Sequence, residues 1–141
     1  MAITAKRKWE IMGPSIQLPG KLAASLTAYQ GQLVVINGGY FNSPSDAANL
    51  IPIGVLQSAD GMVDGKIINA NVATTDAVVE KGLIWVPFSG AAITDVGLLF
   101  FLADNGTVTK TAGSKTWKVV CEGFKTGYVL LNFDKLLGAA A

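Results

Sequence analysis

The chain has 141 residues, enough for one domain with a real core and too few for two of ordinary size. Half of its residues are apolar, only 15% are charged and the mean hydropathy is positive, an unusual surplus for a soluble monomer, whose surface is normally rich in charge. Basic residues exceed acidic ones by one, which argues against a global field for nucleic acid or an anionic membrane; a single Cys and the absence of His exclude an intrachain disulfide, the usual zinc sites and Cys-His nucleophiles.

Residues 1–24 read as an N-terminal arm. Lys6, Arg7 and Lys8 form a basic cluster beside Trp9, Ile11, Met12 and Ile16, while Pro14 and Pro19 limit regular pairing. A free tail is poor in aromatic and β-branched residues, so the composition predicts an arm ordered by a partner. The start lacks the apolar stretch and cleavage site of a secretory signal, and the expectation is a protein that stays in the cytoplasm where it is made.

Residues 25–133 read as one β domain, because apolar runs alternate with Gly, Asn and Asp turns at roughly ten-residue spacing. Leu33 to Ile36 ends at Asn37-Gly38-Gly39, Tyr40-Phe41 leads into a polar loop, and Ile51 to Gln57 begins beside Pro52. Asp60-Gly61 and Asp64-Gly65 are turns. From Ile67 to Ala73 an apolar face alternates with a wetter one. Leu83 to Phe88 and Val96 to Ala103 are apolar on both faces, which predicts a barrel wall beneath other elements or an oligomer contact. The longest apolar run, Leu98 to Ala103, falls far short of the ~20 residues of a spanning helix, so no membrane partner is expected. Asp104-Asn105-Gly106 sets up a hairpin into Thr107 to Thr109, Lys115 to Glu122 places Trp117, Val119 and Cys121 on an inner face, and Gly127 to Phe133 closes the set. Residues 134–141 form a C-terminal tail with room for one helical turn capped by Asp134. The expected fold is therefore all-β: a small antiparallel β-barrel or β-sandwich with an extended N-terminal arm.

No enzyme chemistry stands out. The commonest general base is absent, and Asp60, Asp64, Asp76 and Glu80 sit in turn-like or polar segments as solvated acids. Neither Gly38-Gly39 nor Gly61 to Gly65 carries the lysine ending of a phosphate loop, and the acid spacing is not that of a calcium loop. No catalytic residue, cofactor site or metal site is nominated. Trp85, Phe88, Phe100 and Phe101 lie in a stretch without a basic residue between Gly82 and Lys110, which favours core or subunit interface over base stacking. These four are the oligomer-contact candidates.

In Lys81 to Gly113, an apolar run, a small-residue loop, Thr94-Asp95-Val96-Gly97, a second apolar run, Asp104-Asn105-Gly106 and Thr107-Val108-Thr109 follow one another. With Leu26 to Gly31 and Ile53 to Leu56, this order resembles the small capsid cement, or head decoration, proteins of tailed bacteriophages. The resemblance implies a β-tulip-like fold and a non-enzymatic virion protein, often a homotrimer, made in the host cytoplasm. Such a protein binds the outer surface of the head and bridges subunits of the major capsid protein. With the arm's composition it nominates Lys6, Arg7, Lys8, Trp9, Glu10, Ile11 and Met12 for capsid contact, and predicts that deleting residues 1–15 leaves a folded oligomer that no longer binds. The alternatives are another β-rich virion subunit, of tail tube or head-tail joint, and a small barrel for carbohydrate or an apolar ligand, for which Asn69 and Asn71 are the hint.

Overall fold

Turn residues mark the strand ends largely where expected. The computed structural model describes residues 2–70 and 75–133, and among them the chain is all-β, without an α-helix. In chain order the strands are β1 (Glu10–Lys21), β2 (Thr27–Tyr29), β3 (Leu33–Asn37), β4 (Tyr40–Asn42), β5 (Ile51–Ala59), β6 (Lys66–Ile68), β7 (Asp76–Pro87), β8 (Leu99–Leu102), β9 (Val108–Thr109), β10 (Val119–Lys125) and β11 (Tyr128–Asn132). One antiparallel sheet runs β4-β3-β5-β7-β11-β10-β8-β9 and is strongly curled into a half-barrel, while β2 and β6 make a separate two-stranded sheet. The expected tail helix, and Asn71 to Ala73 of the expected strand from Ile67, lie outside the described residues.

β7 organises the curl. Its first half pairs with β5, Ala77 opposite Ala59, and its second half with β11, Trp85 opposite Leu130. Burial changes parity along it: Ala77 and Val79 enter one apolar cluster, then Ile84 and Val86 enter another. Successive strand residues point to opposite faces, so β7 supplies one core with one face and the second core with the other. The larger cluster fills the half-barrel with Leu33, Val55, Phe100, Leu102, Cys121 and Leu131. The smaller holds Leu22, Val34, Phe41 and Leu56 under the two-stranded β2–β6 sheet, whose Ala28 and Ile67 stand opposite one another and are both buried in it.

One expectation needs correction. Residues 10–21 are not a separate arm: they form β1, paired with β7 from Glu10 opposite Trp85 to Lys21 opposite Asp76. The prolines are accommodated because β1 pairs only with β7 among the described strands, and edge strands tolerate Pro. Pro14 also falls in the irregular step between Met12 and Ile16. Coverage on both faces is found in β3, where Leu33 and Val35 enter one core and Val34 the other. In β8 Phe100, Phe101 and Leu102 are buried while Leu99 is exposed, and in the second half of β7 Trp85 is half-buried.

Candidate binding surface

Residues 3–9 run as a strap from the β8–β9 turn past the β2–β3 turn to β7. Ile3 exchanges two hydrogen bonds with Asn105: its N–H donates to Oδ1 at 2.8 Å, and Asn105 Nδ2 donates to the Ile3 carbonyl at 3.1 Å. The Arg7 N–H donates to the Gln30 carbonyl at 2.8 Å, and its Nη1 to the Gly106 carbonyl at 2.9 Å. Trp9 packs against the larger core and donates from Nε1 to Glu80 Oε1 at 2.7 Å. Gly31 permits the approach, since a Cβ there would lie 1.8 Å from the Arg7 carbonyl oxygen and its φ is +87°. Burial pushes the Arg7 guanidinium below its usual value, with Asp104 opposing, yet an arginine remains charged.

Beside the strap is a cleft of about 410 Å³. Its floor is apolar and belongs to the core: Leu33, Val55, Ile84 and Val86. Its rim carries Trp9, Trp85 and Tyr128 with the charged Arg7, Lys8, Glu10 and Lys125. Lys125 Nζ lies 4.6 Å from the Trp85 ring centre and 5.1 Å from that of Tyr128, and pairs with Glu10 at 2.8 Å. Arg7 and Pro87 also line a second cavity of about 550 Å³, bounded further by Phe88, Ser89, Gly106 and Thr107.

A different surface stands on the loop before β8. Ile93 is 67% exposed, and Val96, Leu98 and Leu99 are 40%, 44% and 40% exposed. The loop is held from within by Asp95, whose carboxylate accepts from Lys110 Nζ at 2.9 Å and from the Ala92 N–H at 3.0 Å. Those two donors, the Lys110 ammonium first, keep the Asp95 carboxyl below the usual carboxylate range. Gly97 N–H donates to the Cys121 carbonyl at 2.7 Å and Cys121 N–H returns to Leu98 at 2.9 Å, tying the loop to β10.

The nominated residues therefore divide differently from their order in sequence. Arg7, Lys8, Trp9 and Glu10 meet Trp85 around one cleft. Lys6 is turned away into an exposed ion pair with Asp64 at 2.9 Å. Ile11 packs on the larger core and Met12 is exposed on β1. Phe100 is 0% exposed and Phe101 9%, and Phe88 stacks edge-on against Phe100 at 5.1 Å; Phe100 is part of the larger core. Asn69 is buried, donating to the Ala23 carbonyl at 2.7 Å and accepting from Thr75, which removes the hint of a sugar site there; Asn71 lies outside the described residues. Sequence reading missed Lys125 and Tyr128, which reach the cleft because β11 pairs with β7 and β10 with β11. It also missed that Gly97 and the Asp95 turn bring Val96 and Leu98 out to solvent. Compared with models of known protein families and with curated proteins, the chain matches none.

Proposed function

We propose that this chain is a structural virion protein, a capsid decoration protein that oligomerises and binds the outside of a phage head, where it bridges major capsid subunits and stabilises the mature shell. The observation that carries the reading is the loop from Ile93 to Leu99, four large apolar side chains kept in water on a frame fixed by Asp95 and β10. Clustered apolar surface of this kind marks protein contact sites. A loop already ordered loses little entropy on docking. The order of motifs from Lys81 to Gly113 supports the same reading, as does the low charge content.

Such a protein acts by mass action. Each copy that binds only the mature lattice lowers its free energy relative to the ruptured shell, and an oligomer gains avidity by engaging several subunits together. The test is to mix the purified chain with expanded heads that lack it and to image them. Regular density on the outer surface is expected; bare heads at saturating protein would refute the proposal. Deleting residues 1–15 is not a clean control, because it removes Trp9 and the first half of β1.

A further inference from the structure

We propose that the cleft beside the strap receives an extended segment of a protein partner in which carboxylates lie between apolar side chains. The inference rests on reading the chain as a docking protein and adds the chemistry of what it docks. Two compartments adjoin, about 410 Å³ and 550 Å³, and share Arg7 and Pro87. A groove divided in this way fits a chain that places one side chain in each part. Core residues floor the first compartment and aromatic rings flank it, so its natural guest is apolar.

Charge decides what lies between the two guests. Glu10 and Lys125 offset one another at 2.8 Å, and Asp104 acts on Arg7 from outside the first compartment, so the rim keeps a net positive charge with Arg7 and Lys8 as its further cations. Arg7 stands at the junction, with Nη1 donating to the Gly106 carbonyl. A guanidinium has five N–H donors in a fork that suits a carboxylate. It is already positioned by the strap, so a partner carboxylate meets a fixed donor and not a mobile one. Lys8 is exposed and adds attraction for a second acid.

The test uses the full chain and its own tryptophan emission, since Trp9 and Trp85 line the cleft. The probes are acetyl-Phe-Asp-Asp-Leu-amide and its twin with Lys in place of both Asp. The acidic peptide is expected to change the emission saturably, with at least about ten-fold higher affinity than the basic twin, and the preference is expected to shrink with salt. Arg7→Gln, which keeps a donor for Gly106, is expected to lose at least about ten-fold in affinity for the acidic peptide. The exposed pair Lys8→Glu with Lys125→Glu is expected to abolish or reverse the preference. Equal affinity for the twins, no saturable change with either at millimolar concentration, or a response to dodecanoate alone would overturn the proposal. A charge-reversed protein that loses the peptide yet still coats heads would overturn the cleft as the docking site while leaving decoration standing.

Discussion

Replacing Trp9 by Ala separates a strap that belongs to the fold from an arm that waits for a partner. Trp9 is half-buried against the larger core, and its Nε1 donates to Glu80 at 2.7 Å. A fully buried Trp covers about 150–250 Å², so roughly 100 Å² is lost here, or about 2.5 kcal/mol at ~25 cal/mol per Å². The hydrogen bond adds about 1 kcal/mol. Glu80 is not orphaned, because Ser15 Oγ and Gln17 Nε2 also donate to it. Area bookkeeping is an upper bound, so the expected loss is about 2–3 kcal/mol. Equilibrium urea unfolding followed by far-UV circular dichroism measures it, at matched protein concentration because an oligomer's stability depends on it. Trp9→Phe retains most of the apolar area and is expected to cost only about 1 kcal/mol. A Trp9→Ala protein within about 0.5 kcal/mol of the parent, the range of an indifferent surface change, would refute the strap's place in the fold.

The same reasoning gives three further expectations. Gly31→Ala puts a Cβ where the Arg7 carbonyl sits and should cost more than about 1 kcal/mol, with hydrogen exchange at the Arg7 amide rising more than in the sheet interior; unchanged protection there would contradict the close approach. Ile93→Ser with Leu98→Ser changes exposed side chains, so stability should move by no more than about 0.5 kcal/mol while light scattering shows a smaller oligomer, and an unchanged mass would take the loop out of the interface. Asp95→Asn should loosen the loop, with a definite pH dependence: the folded carboxyl is held low by Lys110 and Ala92, so its contribution is present above the unfolded value of about 3.9 and fades as pH falls through the lowered folded one. Gly97 amide protection in the parent should therefore exceed that in the variant at neutral pH and converge with it in acid; a difference that persists at pH 2 would exclude the carboxylate as its source.

Much of the fold was legible because strand and turn chemistry is local. Asp104-Asn105-Gly106 set the β8–β9 hairpin, with Leu102 opposite Val108, and alternation put Val119 and Cys121 inward. β1 was not legible as part of the domain for a physical reason: an edge strand that contains Pro and exposes Met12 and Ile16 has the same composition as an arm that adds a strand to a partner. The two differ only in whether the receiving strand belongs to the same chain, and β7 begins at Asp76. Two-sided apolar runs left their cover unspecified for a related reason. The pattern shows that both faces avoid water, but it does not say which element covers the second face, and the β2–β6 pair packs on β3, β5 and the first half of β7.

The placement of Glu10 opposite Trp85 alters the functional reading most. In sequence, the basic and aromatic start suggests capsid contact and the aromatic strands suggest oligomer contact, two jobs at two ends. Pairing of β1 with β7 joins part of each set, Arg7 to Glu10 with Trp85, and β11 adds Tyr128 through its pairing with Pro87. Under the proposed function, the loop from Ile93 to Leu99 is a surface suited to self-association, uncharged at its exposed positions because its one acid is turned inward to Lys110. An uncharged apolar surface meets its own copy without electrostatic penalty, whereas a rim carrying Arg7 and Lys8 repels its copy and favours an acidic partner. On the proposed function, charge therefore favours self-contact at the loop and foreign contact at the cleft.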